Sequence, residues 1–340
     1  MLRSKTILIT GGAGFIGSNF IPYFCNKHPE YFIINLDKLT YAGNLDNLKE
    51  CEGLSNYKFV KGDVCDKELV KSLFEDYDIR GVIHFAAESH VDNSINNPEI
   101  FIKTNVEGTL NLLNNSYQHW MSAPSNIKQG YEDCRFHYIS TDEVYGALGE
   151  DGYFTETTPY APTNPYSVSK ASADFLVQAY NKTFGLNTTK SNCSNNYGPK
   201  QHYEKLIPHT IKQALAEQPI TIYGTGKNIR DWLYVLDHCK AIDLIFHSGK
   251  SGESYNIGCS NEIDNTTIVK TICSILDQKQ PRANGKYEDL IVFIKDRVGH
   301  DFRYAIDSSK LQNELGWEPE KDFYAKITQT IEWYITKEQS

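Results

Sequence analysis

The chain has 340 residues, a length that suggests about two domains, and 40% hydrophobic with 23% charged residues is the balance of an ordinary globular protein. Its formal net charge is -9, which argues against sequence-independent nucleic-acid binding, because that runs on Lys and Arg. An anionic substrate must therefore be met by a local basic cluster.

In chain order, the first half alternates short apolar runs with helical patterns. Thr6 to Thr10 reads as a strand and Ile16 to Cys25 as a helix. Phe32 to Leu36 and Tyr57 to Val60 read as the second and third strands. Asp66 to Phe74 is helical, with Leu69, Val70, Leu73 and Phe74 at helical spacing. Gly81 to Ala86 is a fourth strand, Phe101 to Tyr117 a long helix and Phe136 to Ser140 a fifth strand. Between those last two, residues 121–134 (MSAPSNIKQGYEDC) read as a surface loop. Pro165 to Phe184 is helical and Thr188 to Cys193 is a sixth strand. After about residue 195 the pattern is irregular, with helices expected at Ile207–Ala216, Leu233–Phe246, Thr266–Leu276 and Phe323–Thr336.

Strand and helix in alternation imply a parallel sheet with right-handed crossovers, covered on both faces. The expected fold class is α/β: a Rossmann-type doubly wound parallel sheet with a smaller C-terminal α/β substrate lobe. Residues 1–194 form the dinucleotide-binding unit in this reading, and 195–340 the smaller lobe, partly interwoven with it. No segment approaches the roughly 18 apolar residues of a membrane span, and the apolar run within Met1 to Thr10 is too short for a signal peptide. The eight cysteines, at 25, 51, 65, 134, 193, 239, 259 and 273, make no CxxC and no zinc spacing. They read as reduced thiols of a cytoplasmic protein, with no metal site and no membrane partner.

Gly11, Gly14 and Gly17 give a GxxGxxG turn between the first strand and its helix, where backbone N–H groups approach a pyrophosphate. Asp37 ends the second strand, placed to accept from a ribose 2′-hydroxyl; its charge favours NAD over NADP. Asp63 follows the third strand within reach of an adenine. Phe85, Ala86 and Ala87 end the fourth. Tyr166 and Lys170, at i and i+4, share one helix face just after the fifth strand, and Thr141 stands beyond that strand's end. The ammonium is expected to lower the phenol's pKa, making tyrosine a base, and to hold a nicotinamide ribose.

With TGGAGFIG at 10–17, Thr141, Tyr166 and Lys170, the chain resembles the extended short-chain dehydrogenase/reductases. STDEVYG at 140–146 resembles, more narrowly, the nucleotide-diphosphate-glucose 4,6-dehydratases. The resemblance continues through DKLTYAGN (37–44), FAAESHVDNSI (85–95), NPYSVSKASAD (164–174), NCSNNYGP (192–199), EKLIP (204–208) and NIRDWLYV (228–235). It implies NAD contacts from Phe15, Ile16, Lys38, Leu39, Thr40, Val64, Ser89, Thr104 and Asn196. It implies substrate contacts from Ser89, Thr141, Asn195, Lys205, Leu206, Arg230 and Asn265, and a closing loop at 296–301 that includes Arg297 and His300. Tyr223 is a candidate to stack on the base.

Elimination across C5 and C6 needs an acid for the leaving hydroxyl and a base for the C5 proton. The resemblance assigns these to Asp142 and Glu143. It implies a cycle in which Tyr166, with Thr141, takes the 4-hydroxyl proton as hydride leaves C4 for NAD; water is then lost, and hydride returns to C6. The implied substrate is a nucleotide sugar, dTDP-glucose, with UDP-glucose the alternative. A 4-epimerase would need Tyr166 but has no use for the acidic pair, and a non-catalytic scaffold predicts decay of a catalytic set that is intact here. The chain departs from the family pattern at Val298, Phe302 and Leu236, which bears on substrate closure. Apolar stripes on Phe101–Tyr117 and Ser167–Phe184 predict a homodimer through a four-helix bundle.

Overall fold

A computed structural model describes residues 5–296 and 301–338. Seven parallel strands make its central sheet: β1 (Lys5–Thr10), β2 (Tyr31–Asp37), β3 (Tyr57–Lys61), β4 (Ile79–His84), β5 (Arg135–Thr141), β6 (Thr188–Cys193) and β7 (Ser254–Ile257). Their spatial order is β7-β6-β5-β4-β1-β2-β3, all parallel, so the order reverses between β1 and β4. Neighbouring residues of one strand face opposite layers. Ile7 and Ile9 pack with Phe20, Phe24 and Ile242 on one side, while Leu8 packs with Val70, Leu73, Leu112 and Val177 on the other.

Five helices matter for the site: α1 (Phe15–Lys27), α2 (Lys67–Tyr77), α3 (Gly108–Trp120), α4 (Pro165–Phe184) and α5 (Val235–Ser248). Helix α1 pairs with α5 on one face; α2, α3 and α4 cover the other. Local chemistry sets their ends. Asp66 caps α2 by accepting from Leu69 N. Helix α4 starts with an Asn164–Ser167 capping box and Pro165, and stops at Gly185 with φ 71°.

The first six strands lie within two residues of their sequence-predicted positions. The long helix expected over Phe101–Tyr117 does not form as one piece. A short helix, Pro98–Phe101, runs into a π-helical stretch, Ile102–Glu107, and only then into α3. The widened turn carries the buried Asn105, whose amide grips both backbone groups of Glu88 (2.8 and 3.0 Å) and the Ser169 hydroxyl (2.8 Å). That side chain therefore ties the loop after β4 to α4. Residues 121–134 are not a plain loop either. They hold a short hairpin, Met121–Ala123 with Asn126–Ile127, and Tyr131 donates to Asp78 Oδ1 at 2.5 Å.

The second half contributes β7 and α5 to the central sheet and builds smaller sheets of its own. Ile229–Tyr234 pairs with Asn195–Tyr197, Glu262–Asp264 and Arg303–Tyr304; Ile220–Tyr223 pairs with Ile291–Ile294. Helices Leu206–Leu215, Asn265–Lys279 and Phe323–Glu338 pack around them on a third apolar cluster.

Among the described residues, one ion pair is fully inside. Lys190 on β6 and Asp174 on α4 are 4% and 0% exposed at their side chains, with 3.4 Å between Nζ and Oδ2, and Tyr160 also donates to that carboxylate at 2.6 Å. Breaking such a pair strands a charge, whereas replacing both partners with apolar groups does not. Asp174→Asn is expected to destabilise the protein by about 3–5 kcal/mol in urea unfolding. Asp174→Leu combined with Lys190→Met should regain most of that loss. Equal stability of Asp174→Asn and the unsubstituted protein would show the pair to be inert.

Candidate active site

The carboxyl ends of β1 to β6 converge on one cavity of about 300 Å3, where ligands bind in doubly wound sheets. Gly11 donates its N–H to Leu36 O at 2.9 Å and has φ +72°. A Cβ there would lie 2.5 Å from Ala86 N, so only glycine lets this turn rest against the end of β4. A Cβ on Gly17 would meet Gly11 O at 2.5 Å, which fixes how closely α1 packs under the turn. The first turn of α1 carries no acidic residue, so its N-terminal dipole faces the cavity unopposed.

Asp37 is buried and accepts from Ala13 N (2.9 Å) and Leu39 N (2.8 Å). Burial nevertheless lifts its carboxyl above the ordinary range. Lys38 pairs with Asp63 at 2.8 Å. Burial works against the Asp63 carboxylate, but Lys38 and Cys65 N–H together hold it below its usual value.

The reacting end is built where β5 stops. Thr141 is both the last residue of β5 and the cap of the 3-10 turn Asp142–Tyr145; its hydroxyl lies 3.3 Å from Glu143 N and 3.3 Å from Asp142 Oδ1. Asp142 is 3% exposed, and its Oδ2 has no hydrogen-bond partner among the described residues. Burial first, then Glu143 and Asp231, push its carboxyl well above the normal range. Burial also raises Glu143, opposed by the charges of Lys205 and Arg230. One helix start away, the Tyr166 phenol is driven up by burial and by Glu143, with the Thr141 hydroxyl working the other way. Lys170 donates to Ile139 O at 2.6 Å and sits 4.2 Å over the Tyr138 ring. Burial brings its ammonium down to about 8. Contrary to expectation, Lys170 does not figure among the main influences on the Tyr166 phenol: its ammonium donates to a carbonyl, and desolvation dominates the phenol.

The cavity wall includes Gly11, Gly14, Phe15, Ile16, Gly17, Asp37, Lys38, Thr40, Asp63, Val64, Phe85, Ala86, Ala87, Ser89 and Thr104. It also includes Thr141, Asp142, Glu143, Tyr166, Lys170, Asn195, Asn196 and Lys205. Leu39, Leu206, Tyr223, Arg230 and Asn265 stand off that wall. Leu39 acts on it through its N–H to Asp37. Leu206 packs against the third apolar cluster. Tyr223 ends its strand, and Asn265 begins its helix. Arg230 is buried behind the acidic pair; its guanidinium donates to the carbonyls of Ile229 (2.7 Å), Asp301 (3.0 Å) and Phe302 (3.2 Å), over the Tyr304 ring. Arg297, Val298 and His300 lie outside the described residues. Phe302 is exposed, and Leu236 packs against two of the apolar clusters.

Sequence reasoning missed Glu88, Cys193, Ser194, Gln201, His202 and Glu204, all on the wall. Four of them fall inside quoted motifs, where only their neighbours were singled out. Gln201 and His202 gave no signal, because the turn that brings them over the cavity has no periodicity.

A family model described as GDP-mannose 4,6 dehydratase matches residues 8–330. The dTDP-glucose 4,6-dehydratase of Xanthomonas campestris pv. campestris (strain B100) is 51% identical over 334 residues, covering 98% of this chain and 94% of that protein. The dTDP-glucose 4,6-dehydratase of Neisseria gonorrhoeae is 48% identical over 335 residues, with 97% and 96% covered. Among solved structures, dTDP-glucose 4,6-dehydratase from Bacillus anthracis str. Ames in complex with NAD matches with a TM-score of 0.86 and 44% identity over 98% of both chains. UDP-glucose 4-epimerase from Thermotoga maritima matches with a TM-score of 0.84 at 26% identity, covering 98% of this chain and 99% of that one.

The raised Asp142 carboxyl has a consequence for stability. The folded state favours the protonated form, so the contribution is complete below the ordinary value of 3.8 and is eroded as pH rises towards the folded value. Asp142→Asn, neutral at every pH, should therefore melt a few degrees above the unsubstituted protein at about pH 8, and the gain should shrink steadily towards about pH 5. Thermal unfolding across that range checks it; a gain that does not vary with pH would contradict the assignment.

Proposed function

The chain belongs to the GDP-mannose 4,6-dehydratase family, and we propose that it removes water from dTDP-glucose to give dTDP-4-keto-6-deoxyglucose. The observation that carries this reading is the pair Asp142 and Glu143 standing beside Tyr166 on a dinucleotide groove. A 4-epimerase on the same fold needs the groove and the tyrosine but no elimination pair. The relatives most alike in sequence and the NAD-bound dehydratase structure support the same reading.

NAD fits the groove. Gly11 lets the glycine turn rest against the end of β4 at the start of α1, whose N-terminal dipole faces the groove, and Asp37 offers a carboxylate to a 2′-hydroxyl while repelling a 2′-phosphate. Bound NAD supplies the acceptor for hydride from C4 and, once reduced, its donor to C6. The rest falls to the chain's own residues. Tyr166 takes the proton of the sugar 4-hydroxyl, oriented by Thr141. A phenol held protonated by burial needs positive charge to act as a base, and Lys170, one turn on, is the chain's own source of it.

The 4-ketone acidifies C5–H. Glu143, whose ionised form is favoured by Lys205 and Arg230, removes that proton. Asp142, kept protonated by burial, gives its proton to the leaving 6-hydroxyl. Lys205 stands on the wall as the cation for a diphosphate. In this reading residues 1–194 carry the cofactor and the reacting groups, and 195–340 the nucleotide end of the substrate. Eight cysteines without a disulfide fit a reducing cytoplasm, and no helix among the described residues is long and apolar enough to cross a membrane.

The reading extends to a homodimer through a four-helix bundle. Val168 and Phe175, seven residues apart on α4, are 42% and 56% exposed, and Ile102 and Ile95 are exposed as well. Light scattering at micromolar concentration should give twice the chain mass, and Phe175→Glu should shift it towards the monomer. A strict monomer would reject the dimer.

One isotope experiment tests the chemistry. Substrate deuterated at C4 should yield product with deuterium in the C6 methyl group, and solvent deuterium should enter at C5. An epimerase would return the label to C4 and make no methyl group. An unlabelled C6 from C4-labelled dTDP-glucose would sink the mechanism even if the product were correct.

A further inference from the structure

The ends of α1 and α5 hold a polar cluster that this chemistry does not use. Asp243, on α5, is 1% exposed. Its Oδ1 lies 2.9 Å from His28 Nε2 and 2.9 Å from His247 Nδ1. Its Oδ2 accepts from the Tyr23 hydroxyl at 2.9 Å and from Lys27 Nζ at 2.7 Å. Burial works against this carboxylate, but His247, Lys27 and Tyr23 outweigh it and keep the group ionised. The two imidazoles stack with centroids 4.6 Å apart, flanked by Phe24 and Tyr31. Among the described residues these three side chains form a group whose candidate ligand atoms all lie within 4.8 Å of one another.

We infer that His28, Asp243 and His247 form a three-ligand site for a divalent transition cation of the Zn2+ class, clipping the end of α1 to the end of α5. Two imidazole nitrogens and one carboxylate oxygen suit such borderline cations better than Ca2+ or Mg2+, which favour all-oxygen shells. Asp243 and His247 are four residues apart on one helix, so their ligand atoms share a face before any ion arrives. Bonds of about 2.0–2.1 Å at tetrahedral angles put ligand atoms about 3.3 Å apart. The present 2.9 Å spacings therefore open by a few tenths of an ångström, and His247, whose side chain is 30% exposed, swings to aim its nitrogen.

Supporting contacts are in place. His28 Nδ1 lies 3.5 Å from Glu30 Oε1, the carboxylate–histidine arrangement that orients a metal ligand, and Tyr23 holds the other Asp243 oxygen. Lys27 opposes a dication, but its side chain is 53% exposed and free to turn to water. Binding releases to solvent whichever protons the two facing imidazole nitrogens carry, and water takes the fourth position. The site lies about 20 Å along α1 from the glycine turn, so the ion braces the fold and does not touch the reacting groups.

The test uses tag-free, NAD-loaded protein treated with chelator and then titrated with ZnCl2, followed by calorimetry and by thermal melting; Co2+ absorption reports the coordination geometry. One Zn2+ per chain is expected, with the melting temperature rising by roughly 3–8 °C at saturation and no rise with Mg2+. His247→Ala and His28→Gln should each weaken Zn2+ binding about tenfold or more while leaving dehydration by the metal-free protein unchanged. No saturable Zn2+ binding, or binding of equal strength in both variants, would overturn the site. Neither result bears on the dehydratase reading, which the isotope experiment decides separately.

Discussion

Desolvation at the end of β5 is the constraint on which the site depends. Four titratable groups, Asp142, Glu143, Tyr166 and Lys170, line one small cavity, and in each the largest influence is the loss of water. It raises the two carboxyls and the phenol and lowers the ammonium. All four shifts run towards the neutral form. An acid and a base side by side on adjacent residues can then differ only through what else each one feels. Glu143 feels Lys205 and Arg230 first; Asp142 feels Glu143 and Asp231 before Arg230. The proposed division of roles rests on that asymmetry.

The sheet supplies the dryness. Strand ends deliver backbone and short side chains to one edge, and the close approach of Gly11 to Ala86 seals β1 against β4 at the point where strand order reverses. Asn105 performs a similar task on the other side, joining the loop after β4 to the helix that carries Tyr166 and Lys170. It does so from a π-helical turn, a costly backbone form that tends to persist where function holds it.

Much of this was legible in the chain. Apolar runs bounded by turn residues located the first five strands, because β-strands buried on both faces leave a plain mark; the polar sixth, TTKSNC, was placed by its position after a long helix. GxxGxxG, Asp37 and the 140–146 motif located the groove, since each lies at the carboxyl end of a strand. What failed was whatever depends on partners distant in sequence. Periodicity made one helix of 101–117, because the side chain that widens the turn is rewarded by Glu88 and Ser169 and by nothing local. The bonds from Arg230 to the carbonyls of 301 and 302 could not be read either, since those carbonyls come from a segment some seventy residues away. The strand β7 went unread because only its place beside β6 makes four residues into a sheet edge.

That late strand shapes how the protein is made. During synthesis β1 to β6 leave the ribosome well before Ser254–Ile257, so the growing chain carries an unpaired edge at β6 for some sixty residues of translation. An exposed edge is a template for stray pairing between nascent chains. The sequence of β6, TTKSNC, is an unlikely choice for a buried strand but a good one for that interval, since a lysine and five other small or polar residues make a poor partner for foreign strands. Polarity that looks wasteful in the finished sheet works as a guard on the unfinished one.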